Sequence, residues 1–528
     1  MSAVETESTP LSVLLRDAIE VYADDPKARD ILKGYQARLG QPLRIAIAGM
    51  VKAGKSTLLN AMIGEEVAPT DAGECTRIVT WYRYGDTPKV TLELTTGERR
   101  ALAITRERGR LVFDIGAEPL EEIARIVVDW PAQGLRRVTL IDTPGIASLS
   151  SGISERSNAF LVPRSSAFEV DAVVYLLRHM HAADVNFLES FRDLALGRSR
   201  TVNALAVLSR ADEIGAGRID ALISARDIAD RYRHDDTLRR LVLGVVPVAG
   251  LLAQTARTLR QSEFAALVEV AHLDREDRER LLISADRFVR PTALLTLSSE
   301  TRSALLDRFG VFGIRMAAVL ITAGADDAPS LARELARHSG LDELQRMVTG
   351  QFSARAAQLQ SLTVLTGVDS LVHDRPHEGD DRIATALERI IAGAHEITEL
   401  QTLATLRLGV YPLDRPLVEE AERLIGGVGT AAVQRLALDE DASREAIHFE
   451  ALASARRWRQ RATSPLSDHE TTQLCETVVR SCEAILTGDE SRPPSPGGGS
   501  GPVLGDLTVR TEPVARPGKE ARYERRAS

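Results

Sequence analysis

The run Gly49-Met50-Val51-Lys52-Ala53-Gly54-Lys55-Ser56-Thr57 sets two glycines, a lysine and a hydroxyl at the G-x-x-x-x-G-K-[ST] spacing of a phosphate-binding loop. Glycines at 49 and 54 let the chain wind tightly enough for backbone N–H groups to converge on phosphate oxygens, and a following helix N-terminus adds its positive dipole end. The expected nucleotide contacts are Gly49, Val51, Lys52, Ala53, Gly54, Lys55, Ser56 and Thr57. Within that set Lys55 reaches the β- and γ-phosphates and Ser56 holds Mg²⁺.

Three further positions extend this chemistry. Asp142-Thr143-Pro144-Gly145 offers a carboxylate that can accept from Mg²⁺-bound water, and a glycine whose N–H senses the γ-phosphate. Thr76 stands where a switch threonine would complete the metal shell and orient the attacking water; the alternative is an ordinary strand-entry threonine. In Ser209-Arg210-Ala211-Asp212-Glu213, Asp212 can accept from guanine N1–H and its exocyclic amine, an arrangement adenine does not supply, while the Arg210 stem covers the base face. A helix cap is the other reading of Asp212. Ala249, in Pro247-Val248-Ala249-Gly250, is the candidate backbone donor to the guanine oxygen. The expected catalytic residues are therefore Lys52, Lys55, Thr76 and Gly145, with Ser56, Thr76 and, through water, Asp142 on the metal.

Such side chains need rigid strand ends to carry them. Short apolar runs at 43–48, 78–82, 90–94, 138–141, 172–177, 204–208 and 242–248 alternate with helical segments, the texture of a doubly wound, mostly parallel sheet of about six strands. The phosphate loop, Asp142, Asp212 and Ala249 motifs each follow one of these runs, at the strand ends where such a sheet binds ligands, and Thr76 lies in a polar loop entering the run at 78–82. Two amphipathic helices precede it, separated at Pro26. Beyond 255 helical periodicity dominates: Leu331 to Phe352 leads into Leu359 to Leu371, and further faces lie at 383–403, 416–425, 442–462 and 468–487, which reads as an elongated antiparallel bundle. The expected division is a disordered start at 1–10, neck helices at 11–40, an α/β phosphate-loop head at 41–255, a helical neck and trunk at 256–490, and a Pro/Gly-rich tail at 491–528.

Composition narrows the partners. A chain of 528 residues has room for two to four domains, and 66 Lys+Arg against 75 Asp+Glu leaves a net charge of −9, which opposes diffuse binding to nucleic acid. Cys75, Cys475 and Cys482 have no metal-ligand spacing and fit a reducing compartment; Cys75 reads as a small buried filler. The acidic, polar start lacks the features of a signal peptide, and the apolar windows 241–253 and 311–325 are too short to span a bilayer. A cytoplasmic protein that touches a membrane without crossing it is the expectation.

The motifs in this order, flanked by helices on both sides, resemble the dynamin-like GTPases, and more narrowly the isoniazid-inducible dynamin-like GTPases of mycobacteria and related actinobacteria. The resemblance rests on Pro-Leu-Arg-Ile-Ala-Ile-Ala-Gly-Met-Val-Lys-Ala-Gly-Lys-Ser-Thr (42–57), Ala-Pro-Thr-Asp-Ala (68–72), Thr-Arg-Ile-Val-Thr-Trp (76–81), Ser-Arg-Ala-Asp-Glu-Ile-Gly-Ala-Gly-Arg-Ile-Asp (209–220) and Arg-Phe-Gly-Val-Phe-Gly-Ile-Arg-Met (308–316), and covers about residues 10–487. It implies a Mg²⁺-dependent GTPase head and a neck and trunk built from both chain ends. It also implies binding or remodelling of the inner face of the cell membrane under envelope stress, with homo-oligomers or assembly with a paralogous dynamin-like GTPase.

The sequence departs from that family at the loop itself. Dynamins carry Gln-Ser where this chain has Val51-Lys52, the serine helping to place a charge-compensating monovalent cation, and guanylate-binding proteins carry a built-in arginine finger at the place of Lys52. Lys52 therefore either replaces the cation or is a solvated loop lysine. Ser209 and Arg210 likewise depart from the usual Asn/Thr-Lys-x-Asp. For lipid contact the candidate is the apolar turn Leu408-Gly409-Val410-Tyr411-Pro412-Leu413, through Leu408, Val410, Tyr411 and Leu413; a packed connection between helices is the alternative. A GTP-gated scaffold that binds a partner protein through its bundle is a second functional reading, and an RNA-associated GTPase a third, disfavoured for want of a basic stripe with interleaved aromatics.

Overall fold

The computed structural model describes residues 9–69, 78–107, 110–113, 115, 118–145, 169–196, 203–409, 411–464 and 467–487. Thr76, Cys75, Val410 and the tail expected at 491–528 lie outside these. The chain opens with the helices Pro10–Val21 and Pro26–Arg38. Thr9 caps the first by accepting from the Ser12 amide, and Asp25 caps the second by accepting from Lys27 and Ala28, with Pro26 at a first-turn position where its missing N–H costs nothing.

Among the described residues eleven strands follow: β1 (Leu43–Gly49), β2 (Thr80–Tyr84), β3 (Lys89–Leu94), β4 (Arg99–Leu102), β5 (Ile104–Glu107), β6 (Arg110–Phe113), β7 (Ile123–Trp130), β8 (Val138–Asp142), β9 (Ala172–Leu177), β10 (Ala204–Ser209) and β11 (Val245–Val248). Nine of them form one sheet in the order β11-β10-β9-β1-β8-β2-β7-β3-β4, while β5 and β6 pair as a separate hairpin. The half from β11 to β8 is all parallel. β2 then runs antiparallel to β8 and parallel to β7, and β3 and β4 complete an antiparallel flank. The expected parallel half is present, and the sheet exceeds the expected six strands on its far side. The additional edge strand Arg-Arg-Ala-Leu and the hairpin strand Ile-Thr-Arg-Glu are short and charge-bearing, so they lack the apolar runs that mark buried strands, and Arg-Leu-Val-Phe of the hairpin is only four residues long. β7, Ile-Ala-Arg-Ile-Val-Val-Asp-Trp, carries a strand signal in full and sits inside the sheet.

Each face of the sheet has its own core. On one, Ala46, Ile141, Val173 and Tyr175 pack with helices between residues 221 and 336, including Phe264, Phe288, Phe309 and Leu331. On the other, Ile45, Ile47, Val174 and Leu176 join the two N-terminal helices and the helices between 341 and 485. The change of texture at 255 is therefore not a break in packing, since the segment 264–336 shares a core with the strands. The long face expected to run on from Leu331 is interrupted: Ala328–Ser339 ends at Gly340, Leu341–Met347 leads into a π-turn at Val348–Phe352, and the helix Ala356–Asp374 follows.

Buried ion pairs stitch the bundle to the sheet. Arg407 closes the helix His395–Arg407 and donates to the carbonyls of Val242 (2.6 Å) and Leu243 (3.3 Å), just ahead of β11. Glu422 lies 2.6 Å from the Arg407 Nε and accepts from Arg239 at 2.8 Å. Burial pulls the Arg407 guanidinium below its ordinary pKa, against the opposing charge of Glu422. Elsewhere Arg38 and Thr363 donate to Asp171 Oδ1 at 2.6 and 3.0 Å, tying the second N-terminal helix and the helix Ala356–Asp374 to the start of β9. Removing one partner of a buried pair strands the other charge. Glu422→Ala is expected to destabilise the chain by about 3–5 kcal/mol, read as a thermal midpoint several degrees lower; an unchanged midpoint would show that the pair holds nothing together.

The same contacts bear on the expectation for the apolar turn. Because Arg407 docks on the backbone preceding β11, the turn at 408–413 sits at the end of the bundle nearest the head. Tyr411 and Leu413 pack against the core and Leu408 is half-buried. Burial raises the Tyr411 phenol above its ordinary pKa. Among the described residues of the turn, Leu408, Tyr411 and Leu413 are thus half-buried, while Gly409 and Pro412 are exposed.

Candidate nucleotide site

The phosphate loop leaves β1 and enters the helix Lys55–Ile63. Gly49 and Gly54 both have positive φ, 145° and 95°, as the tight winding requires. Lys55 opens the helix, and its Nζ donates to the carbonyls of Gly49 and Met50 at 3.3 and 3.2 Å, so it is held over the loop. Burial lowers the Lys55 pKa, and the Asp142 charge opposes that shift. Ala53 is buried, with its N–H donating to Met50 O at 3.2 Å, and Val51 is 47% exposed at the loop's outer turn. Thr57 lies beside Gly250, at the start of the helix after β11.

β8 brings Asp142 next to Ser56, whose hydroxyl donates to Oδ2 at 2.7 Å. The other carboxylate oxygen is buried with no hydrogen-bond partner among the described residues. Burial raises the Asp142 pKa, while Lys55 and the Ser56 hydrogen bond work the other way. An orphaned carboxylate oxygen beside a hydroxyl is a donor set that fits a hard divalent cation. Gly145 is buried against the loop: a Cβ there would come within 2.5 Å of Val51 Cγ2 and 2.9 Å of Val51 Cα. Gly145→Ala is accordingly expected to displace the two loops from each other and to lower turnover by about ten- to a hundredfold. Steady-state kinetics of the purified variant checks this, and wild-type turnover would mean that the contact has no part in the reaction.

At the base end, β9 and β10 are adjacent and parallel. Ser209, standing where the usual motif has Asn or Thr, ties them by donating to Leu177 O at 3.1 Å. Arg210 adopts a left-handed backbone (φ 53°) and its Nη2 donates to the carbonyl of Lys52 at 2.9 Å, so the guanine and phosphate loops touch. Lys52 is likewise left-handed (φ 62°) and exposed. Asp212 is half-buried; burial, and then the charge of Glu213, raise its pKa against the pull of Arg210. Non-glycine residues in the left-handed region recur at functional sites, where the surroundings hold them.

One expectation fails. The Ala249 N–H donates to Ser339 O at 2.9 Å, so it is committed within the protein rather than free for a guanine oxygen. The remaining head residues expected at the site and described here, namely Gly49, Val51, Lys52, Ala53, Gly54, Lys55, Ser56, Thr57, Asp142, Gly145, Arg210 and Asp212, lie around the C-terminal ends of β1, β8 and β10. Arg178 and Glu213 also stand at this site, outside the expected set. Arg178 directly follows the apolar run of β9, at the sheet edge where ligands bind, and that position was its signal.

The Dynamin family model matches residues 45–193. Isoniazid-induced protein IniC of Mycobacterium tuberculosis is 43% identical over 491 residues, which is 92% of this chain and 99% of that protein. Bacterial dynamin-like protein of Nostoc punctiforme is 32% identical over 114 residues, 20% of this chain and 16% of that one. A solved bacterial dynamin pair, described as an oligomerised assembly for long-range sensing and tethering of membranes, aligns over 93% of this chain and 81% of that chain at 15% identity, with a TM-score of 0.29. Phosphate loop, strand-end aspartates and helical bundle together are those of a dynamin-family GTPase. The chain belongs to the family of isoniazid-induced protein IniC.

Proposed function

We propose that the chain hydrolyses GTP with Mg²⁺ and uses the cycle to alter the contacts between its head and its helical bundle, acting peripherally on the inner face of the cell membrane to bind and remodel it under envelope stress. The observation that carries the metal assignment is Asp142, with one oxygen bonded to Ser56 and the other buried and unpartnered among the described residues. Bound there, Mg²⁺ supplies charge neutralisation at the β- and γ-phosphate oxygens. The chain's own residues do the rest. Lys55 meets the phosphates from the loop, and Gly145 rests on Val51, so that a shift in the loop after Asp142 is felt at the phosphate loop. Asp212 and Arg210 hold the base, and the expected switch residue Thr76 orients water.

The bonds from Arg407 to the Val242 and Leu243 carbonyls and the pair of Arg38 with Asp171 support the mechanical part, because they join helices outside the sheet to the segment ahead of β11 and to the start of β9. The division expected at 11–40, 41–255 and 256–490 remains our proposal for the moving parts, with GTP, a lipid surface and further copies of this chain or a paralogous dynamin-like GTPase as partners. One observation favours a second reading, the GTP-gated scaffold: Tyr411 and Leu413 of the apolar turn pack against the core. Co-sedimentation with vesicles of phosphatidylglycerol and phosphatidylethanolamine separates the two. Membrane action requires the chain in the pellet in at least one nucleotide state; retention in the supernatant in every state favours the scaffold.

A further inference from the structure

Arg178 and Arg210 leave adjacent parallel strands at nearly the same level, since Leu177 pairs with Leu208 in the register of β9 and β10. Two guanidinium groups are thereby set side by side at the edge of the base site, an arrangement that repels unless something neutralises it. Glu213 does so. Its Oε2 accepts from Arg178 Nη2 at 2.5 Å and its Oε1 from Arg210 Nη1 at 2.5 Å. The far side of the same Arg210 guanidinium donates to Lys52 O at 2.9 Å. One carboxylate thus closes a chain of contacts from the end of β9, across the guanine loop, to the phosphate loop. Both residues joined by its last bond, Arg210 and Lys52, hold left-handed backbones without being glycine.

We infer that Glu213 is a positioning residue for the nucleotide, with Arg178 as its second anchor. Resting on the reading of Arg210 and Asp212 as the guanine site, the inference adds what keeps that site assembled. A guanidinium held at both ends fixes the course of the Arg210 stem that covers the base, and keeps the peptide after Lys52 in its strained form before nucleotide arrives. A site organised in advance loses less freedom on binding, so the benefit falls on affinity and residence time. It falls less on the chemical step, because the contact is made equally in the ground and transition states. The three side chains are between about one-third and one-half exposed, so the pairs are open to screening by salt.

Stopped-flow dissociation of a fluorescent GDP from the full-length chain tests this. Wild type is expected to release GDP several-fold faster when salt is raised from 50 to 500 mM. Glu213→Gln is expected to release it about five- to thirtyfold faster at 50 mM salt with little further change at 500 mM, to raise KM for GTP by a similar factor, and to move kcat less than about threefold. Arg178→Ala falls between the two, and the double variant is no faster than Glu213→Gln alone, as members of one network behave. These salt and KM-against-kcat signatures separate positioning from a general loss of structure, and Arg178→Ala carries the test if Glu213→Gln folds poorly. Release by both single variants within twofold of wild type overturns the role of Glu213 alone. A wild type that retains no GDP overturns the guanine site and this inference with it.

Discussion

Lys55→Ala is expected to lose at least about tenfold in GTP turnover, more than about 1.4 kcal/mol of barrier. The ammonium is already in place over the loop, donating to Gly49 O and Met50 O, and it is a half-buried cation whose pKa burial lowers, facing the position where phosphate charge must sit. Those carbonyl bonds do not replace a counter-charge, so the protein has arranged a cation that is best satisfied when phosphate arrives. Without it, the loop amides alone face the β- and γ-phosphates. Both KM and kcat should suffer, because the lysine meets ground-state and developing charge alike. Phosphate release by the purified variant, with circular dichroism to establish that it is folded, checks the result; hydrolysis at the wild-type rate would remove Lys55 from the mechanism.

Lys52→Ala is expected to lower kcat by about ten- to a thousandfold, roughly 1.4 to 4 kcal/mol, with a much smaller change in GTP affinity. Charge gathers on the γ-phosphoryl oxygens and the β–γ bridge in the transition state, and a cation held there lowers the barrier more than it tightens binding. Two features place Lys52 for that task. Its backbone is held in the left-handed region by the bond from Arg210, and among the described residues its ammonium has no partner. A lysine carried by the loop makes added potassium unnecessary, so wild-type turnover should be indifferent to replacing potassium by a large inert cation, and Lys52→Ser should become potassium-dependent. A wild type that needs potassium, together with an unimpaired Lys52→Ala, would show that Lys52 faces solvent and leaves the reaction alone.

What could be read from the residues alone follows the range over which each residue acts. The phosphate loop was legible because its chemistry lies within nine consecutive residues, and the Asp142 and Asp212 motifs because each ends a recognisable apolar strand. The commitment of the Ala249 amide was not legible, since its partner Ser339 arrives from a helix ninety residues further on, whose end no local pattern places against β11. The turn at 408–413 shows the same limit. Its apolar character is plain, but which end of the bundle it occupies depends on Arg407 meeting Val242 and Leu243. Glu213 lies within the motif Ser209 to Glu213, yet its role is not legible there, because Arg178 meets it only once β9 and β10 lie side by side. Edge strands such as Arg99–Leu102 are hidden for an opposite reason: exposure selects charge there and erases the apolar pattern.

The most direct measurement of the account is phosphate release from GTP and from ATP by the purified full-length chain, with magnesium and with the metal chelated. Ser56 and Asp142 as the metal site, and Asp212 as the base reader, require release from GTP that stops on chelation, with ATP turned over at least about tenfold more slowly. Equal hydrolysis of ATP would contradict the guanine assignment, and hydrolysis of GTP undiminished by chelation would contradict the metal site at Asp142.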